Sequence, residues 1–409
     1  MISILKRNKS LALIVGCAMM VLSSCNKGLE QFAEAPKPSV STSAALGDTI
    51  SKNQNDSLFY KLILKSGLLP VINNKANTFT VFVPTNAAVI ASFGGSLATA
   101  NGTIAALSAA QAAGIVGYNI VPQIINFSTL SNTFPNFQYP SILNPAPSIS
   151  ALLRLTTFPS NRHANYVNNI PVTSVNNFAA NGVIHEVGAI VAPPSQYLWD
   201  RINADTTPVK GLRYLKAAIL RADSGTGSPG TLQGALLNIG ANLTVFAPTD
   251  SAFAAILTGA IYQALVKQGL PPGAATFGAA TALATSTDTT GAPTVFKNPA
   301  LFSALSATNV KGIIVYHILG KRAFTNNFPE TVTSYPTLLN GAIPLHPGVS
   351  LQATFIGPNP FVASATVKGV FNTTASNLLI NNRPGGTSDQ HYLNGVLHKI
   401  DQVLIPAPL

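Results

Sequence analysis

Thr80-Val81-Phe82-Val83-Pro84-Thr85-Asn86-Ala87-Ala88 returns further along the chain as Thr244-Val245-Phe246-Ala247-Pro248-Thr249-Asp250-Ser251-Ala252, at an offset of 164 residues. A short apolar run that ends in proline reads as a strand that stops there, because proline has no N–H to give to a sheet ladder. Thr85 or Asn86, and Thr249 or Asp250, then offer a side-chain oxygen to the free amides of a new helix. The Ala-rich segments after them continue that helix. Pro84, Thr85 and Asn86, and again Pro248, Thr249 and Asp250, therefore mark a strand, turn and helix unit present twice.

Two further motifs repeat in the same order. Gly117-Tyr118-Asn119-Ile120-Val121 is answered by Val315-Tyr316-His317-Ile318-Leu319 at an offset of 198, and Asn181-Gly182-Val183-Ile184-His185-Glu186-Val187 by Asn394-Gly395-Val396-Leu397-His398-Lys399-Ile400 at 213. Three ordered matches make a duplication. The offset grows by 34 residues between the first two motifs and by 15 before the last, which places insertions in the second copy near 269–299 and 372–390. Both read as surface loops, since loops absorb length at little entropic cost.

Asn-Gly tolerates positive φ, so each such pair predicts a tight turn leading into a final strand. On that strand Val183, His185 and Val187 share one face, as do Val396, His398 and Ile400. His185 and His398, with no second ligand nearby in sequence, read as hydrogen-bonded core residues.

The N-terminus is basic from Met1 to Lys9, apolar from Leu11 to Leu22, and then reads Leu22-Ser23-Ser24-Cys25. This resembles a bacterial lipoprotein signal peptide with its lipobox, and implies that Cys25 takes a lipid and becomes the first mature residue. Cys17 and Cys25 are the two cysteines of the chain, so the mature protein is expected to hold itself together by packing and not by disulfides. After Cys25 no apolar stretch reaches about 18 residues, leaving the acyl group as the expected membrane attachment. The division expected is 1–24 signal peptide, 25–44 flexible tether, 45–194 first domain and 197–408 second domain.

At 409 residues the chain has room for two cores, and 47% hydrophobic against 9% charged residues excludes a disordered chain. Three of the 24 basic residues fall in the signal segment, which leaves 21 against 13 acidic ones. They are scattered singly, so the charge implies a mild preference for anionic surfaces and no nucleic-acid partner.

The Val-Phe-x-Pro-Thr-(Asn/Asp) strand, the Tyr316-His317 pair and Asn-Gly-Val-(Ile/Leu)-His with a closing proline together resemble the conserved boxes of the fasciclin (FAS1) family, over about 45–194 and 197–408. The resemblance implies an α+β fold of two tandem FAS1 domains, each a wedge of two small sheets flanked by helices. It also implies an extracellular adhesion role. In animal members the Tyr-His region has been linked to receptor binding, which makes Tyr316 and His317 a possible binding pair. The first copy departs there, with Asn119 after Tyr118.

No catalytic residue, cofactor or metal site is expected. Gly225-Thr226-Gly227-Ser228-Pro229-Gly230 matches a dinucleotide-binding glycine pattern but follows a helical stretch and contains proline, so it reads as a loop. Ser388, Asp389 and His391 crowd one turn and read as a polar loop, not a relay. The expected protein is a non-enzymatic adhesion or extracellular binding protein, lipid-anchored in the cell envelope, most simply at the outer membrane on either face. Its expected partners are extracellular matrix, polysaccharide or another surface protein. The alternative is a glycan- or small-ligand-binding lipoprotein beside a nutrient-uptake system, using the loops near Asn372–Asn382.

Overall fold

The computed structural model describes residues 44–131, 133–227, 230–302, 304–357 and 361–407. Cys25 and the signal segment lie outside the described residues. The first unit contains β1 (Phe79–Pro84), β2 (Ile120–Val121), β3 (Tyr139–Pro140), β4 (Thr156–Thr157), β5 (Pro159–Ser160), β6 (Tyr166–Val167), β7 (Ile170–Ala179) and β8 (Gly182–Val187). The second contains β9 (Leu243–Pro248), β10 (Ile318–Leu319), β11 (Thr333–Tyr335), β12 (Val349–Ile356), β13 (Phe361–Lys368), β14 (Ser376–Asn377), β15 (Gln390–Tyr392) and β16 (Gly395–Ile400).

The two proline strands sit at corresponding places in two different sheets. β1 pairs in parallel with β8 (Val81 opposite Ile184) and antiparallel with β2; β9 pairs in parallel with β16 (Val245 opposite Leu397) and antiparallel with β10. The sheet orders are β2-β1-β8-β7-β6-β5 and β10-β9-β16-β15, with β11-β12-β13-β14 as a separate sheet of the second unit and β3-β4 a small ribbon of the first. All six residues of β1 and of β9 are buried, as a strand with both faces covered must be. In β1, Val81 and Val83 face a helix-lined core with Leu46, Phe59 and Leu62, while Phe82 faces a sheet-lined core with Tyr118 and Val187. In β9, Val245 and Ala247 face the helices and Phe246 the other side, with Tyr316 and Val349. The fold class is α+β, two tandem units of one plan.

At the corners, Thr85 Oγ1 accepts from Ala88 N and Thr249 Oγ1 from Ala252 N, both at 3.3 Å. Asn86 and Asp250 act elsewhere. Asn86 Oδ1 accepts from Leu58 N (2.9 Å) and Asp250 Oδ1 from Tyr214 N (3.0 Å), at the starts of helices Ser57–Ser66 and Arg213–Ala222. One dipeptide thus starts its own helix and caps a neighbour.

Two expectations are corrected. The Asn-Gly hairpins form, but neither asparagine nor glycine has positive φ: the turns are Ala180-Asn181 and Leu393-Asn394, and each glycine opens the strand. Glycine is needed because a Cβ on Gly182 would lie 2.0 Å from Phe79 O, and one on Gly395 2.5 Å from Leu243 O. The asparagines hold the start of each unit, since Asn181 Oδ1 accepts from Leu46 N (2.9 Å) and Asn394 Oδ1 from Leu198 N (3.0 Å). The second correction concerns the insertion near 269–299, which contains a helix, Ala274–Thr285, laid on Asp250–Lys267. Thr276, Ala280 and Ala284, four residues apart, are its buried face. Small side chains there let the helix sit close without the large apolar periodicity that would mark it in sequence.

Candidate ligand-binding cleft of the second unit

The repeated polar residues of the two units build a shared interior constellation. His185 Nδ1 accepts from Asn176 N (3.0 Å) and Nε2 bonds Ile125 O (2.8 Å); His398 Nδ1 accepts from Asp389 N (3.1 Å) and Nε2 bonds Ala323 O (3.0 Å). Thr80 and Thr244 bond the same loops, Thr80 Oγ1 to Gln123 O at 2.7 Å and Thr244 Oγ1 to Lys321 O at 2.6 Å. Burial lowers the pKa of His185 to about 4, and burial also shifts that of His398 downward, so both are neutral braces.

Tyr316 and His317, expected as a possible binding pair, are both fully buried. Tyr316 Oη donates to Gly348 O (2.6 Å) and accepts from Val370 N (3.0 Å). His317 Nδ1 bonds Ile313 O (2.8 Å) and Nε2 accepts from Leu404 N (2.8 Å). Both ring nitrogens and the hydroxyl are thus bonded to backbone groups inside the second unit. Burial again brings the His317 pKa to about 4. In the first unit Asn119 does the same work by different means, its Nδ2 donating to Ile115 O (2.8 Å) and Val191 O (2.9 Å).

Ser388 and Asp389 lie in an irregular loop, as expected, and are buried, while His391 is half-buried. Ser388 Oγ accepts from Asn381 N (2.9 Å), while Asp389 takes the amide and hydroxyl of Thr325 (2.7 and 2.6 Å). His391 Nε2 faces Arg322 Nη1 at 2.7 Å. Asn372 is spent on the backbone too, through Val403 O and Ile405 N (both 2.8 Å). Among the described residues no group of three His, Cys, Asp or Glu is placed to hold a metal.

The open space is elsewhere. A cleft of about 610 Å³ lies between helices Leu198–Ala204 and Arg213–Ala222 on one side and the end of the insertion, Thr290–Phe302, on the other. Ile202, Ala217, Leu220, Pro293 and Phe296 make its apolar wall, and Arg213, Lys216, Arg221 and Lys297 supply cations. The insertion is tied in place by the same helix: Tyr214 Oη donates to Ala284 O (2.9 Å), Arg213 Nη1 to Gly291 O (3.3 Å) and Arg221 Nε to Leu305 O (2.9 Å). The Arg221 guanidinium stacks 3.9 Å over the Phe302 ring. At the rim Asp288 closes a turn; the Thr290 hydroxyl, then the Ala292 and Thr290 amides, hold its carboxyl at about 2.

The acids around the cleft are already committed. Asp205 meets Lys399 at 2.6 Å and Arg201 at 2.9 Å, and Asp250 holds Arg213 Nε at 2.8 Å. Lys216 has no ion pair among the described residues. The signal for this site was present in sequence as three basic residues on one ten-residue helix in a chain only 9% charged; what sequence did not show is that the insertion folds back over it.

The fold and its doubled polar constellation define a tandem α+β protein whose interior histidines are structural. Residues 54–193 match the family model of the fasciclin domain. Among solved structures, a FAS1 domain pair from the insect cell adhesion molecule fasciclin I aligns at 14% identity, covering 86% of this chain and 98% of that one, with a TM-score of 0.29. Comparison with curated proteins gave no match.

Proposed function

We propose that the protein is a non-catalytic adhesion or extracellular binding protein of the cell envelope, anchored through a lipid on Cys25. The match to the fasciclin family model at 54–193 carries this reading, because the family is associated with adhesion. The docking of the two units supports it. Phe158 of the first packs on Phe324 of the second (5.8 Å between centroids), Arg322 lies over the Phe158 ring (4.9 Å), and Asn326 Nδ2 donates to Asn168 O (2.6 Å). A fixed pair presents its surfaces in one geometry, so two weak contacts to a matrix or polysaccharide would reinforce each other. Cells lacking residues 45–408 should lose attachment or biofilm cohesion, and unchanged attachment on every surface tried would refute the role. Labelled palmitate should be incorporated by the natural chain and not by Cys25→Ala.

A second reading, a small-ligand- or glycan-binding lipoprotein beside an uptake system, is favoured by the cleft of the second unit. The Asn372–Asn382 loops lie away from that cleft, and there Asn372 and Asn377 donate to Val403 O and Asp401 Oδ2. A glycan and small-acid binding screen, repeated with cleft variants, tests it.

A further inference from the structure

We propose that the cleft between helix Arg213–Ala222 and the insertion binds a monomeric amphiphile with one anionic head group, carboxylate or phosphate, on an apolar body. This deepens the ligand-binding reading of the cleft and is independent of attachment.

The volume, about 610 Å³, lies within the range of roughly 300–1,000 Å³ of small-molecule sites. The wall is apolar, and Leu220, 46% exposed, is a large aliphatic group on the solvent side of a helix whose other face is core. Such a residue at a concave surface fits an apolar ligand better than water.

The head-group preference follows from charge accounting. Of the four cations at the cleft, Arg213 and Lys297 are paired with Asp250 and Asp288 at 2.8 and 3.5 Å. Arg221 is held by a backbone carbonyl and an aromatic ring, neither of which neutralises it. Lys216 has no ionic or hydrogen-bonding partner for its ammonium among the described residues. The acid lining the cleft, Asp205, lies between Lys399 and Arg201. A surplus positive charge beside low-dielectric walls attracts an anion strongly and selects against a neutral head. A neutral sugar would leave the Lys216 and Arg221 charges unmet and the apolar wall wet.

The first unit shows what the insertion adds. Its corresponding helix, Ser57–Ser66, carries Lys61 and Lys65, but these ammonium groups are bonded to Asn101 Oδ1 (2.8 Å) and Ala105 O (2.6 Å) of the helix packed against it. In the second unit Arg213, Lys216 and Arg221 of the corresponding helix line the cleft instead.

The test is calorimetric titration of the full mature chain with decanoate and decyl phosphate as monomers, with decan-1-ol, inorganic phosphate and phosphatidylglycerol vesicles as comparisons. One-site binding of either anion is expected, with decan-1-ol at least about tenfold weaker, the ratio between decanoate and decyl phosphate identifying the preferred head. Lys216→Glu should weaken the anions by about ten- to hundredfold, the scale of a charged hydrogen bond. Leu220→Glu should do likewise; being exposed, it keeps the fold, as circular dichroism would verify for both variants. Equal binding of decan-1-ol, equal binding of bare phosphate, binding to vesicles alone, or affinity untouched by both variants would each overturn the inference. If the anions fail and a neutral oligosaccharide binds and is lost with Lys216→Glu, the ligand-binding reading survives and the amphiphile does not. If nothing binds, both fall.

Discussion

The two units solve one hydrogen-bonding problem with different residues. His317 donates once and accepts once, to the carbonyl of Ile313 and from the amide of Leu404; Asn119 donates twice, to Ile115 and Val191. His317→Asn should therefore cost less stability than His317→Leu, which orphans a buried donor and a buried acceptor at about 1–3 kcal/mol each. Urea denaturation of the two variants measures the difference, and equal losses would mean that packing, not hydrogen bonding, holds the corner. The same buried groups set the pH response. His185 and His317 titrate near 4 when folded, against 6.5 for an open histidine. Between those values the unfolded chain binds protons that the native one refuses, so stability falls as pH drops from 6.5 to 4. Asp56 opposes this, because burial, then the nearby Glu186 charge, raise it to about 7. Its native form holds the proton more tightly, a contribution that is lost as pH rises from 3.8 toward 7. Melting temperatures should fall on acidification through this range, and Asp56→Asn should make the fall steeper.

The first helix of each unit is fastened to its last strand by a polar contact, half-buried in the first unit and buried in the second. In the first unit Asn53, the residue after helix Leu46–Lys52, donates to Glu186 Oε1 (3.2 Å); in the second Asp205, the residue after helix Leu198–Ala204, meets Lys399 at 2.6 Å. Both Lys399 and Asp205 are almost inaccessible, with 2% of each side chain exposed. For Asp205 burial pushes the pKa up, but the Lys399 and Thr207 hydrogen bonds and the two nearby cations outweigh it and hold the carboxyl below its usual range. Lys399→Met should cost up to about 3–5 kcal/mol, the scale for breaking a buried pair, because it leaves the Asp205 carboxylate with Arg201 as its one remaining cation. Adding Asp205→Asn should recover part of that loss in a double-mutant cycle, and strict additivity would mean the pair is not coupled. At this scale the sequence was readable where side chains are large or special, as at Pro84 and Pro248. It was not readable at Thr276, Ala280 and Ala284, whose small side chains pack a helix without an apolar stripe to announce it.

Across the whole molecule the units are joined by a desolvated surface. Phe158 and Phe324 are fully buried, Ser160 Oγ donates to Asn327 Oδ1 (3.2 Å), and His163 reaches both Phe328 O (2.8 Å) and Glu330 (3.0 Å). The described residues from 44 to 407 accordingly form one compact unit. Thermal unfolding should be a single calorimetric transition in which both copies melt together. Phe158→Ala, which empties a site filled from both sides, should cost about 3–5 kcal/mol and separate the two copies into distinguishable transitions. Two transitions in the unaltered protein would refute the coupling.

From sequence alone the duplication, the order of its motifs, the strand stopped by proline, a helix cap at Thr85 or Asn86 and at Thr249 or Asp250, and the interior character of His185 and His398 were determined. Each is written in local chemistry: a missing N–H, a nearby hydroxyl, an alternating face. Only the tertiary structure decided that Gly182 and Gly395 are there for close approach, that Tyr316 and His317 are sealed inside, and that Arg213, Lys216 and Arg221 face a cleft roofed by the insertion. Those properties depend on what lies opposite a residue far along the chain, from 32 positions for Tyr316 and Gly348 to 152 for Leu243 and Gly395, and neither spacing nor periodicity carries that information.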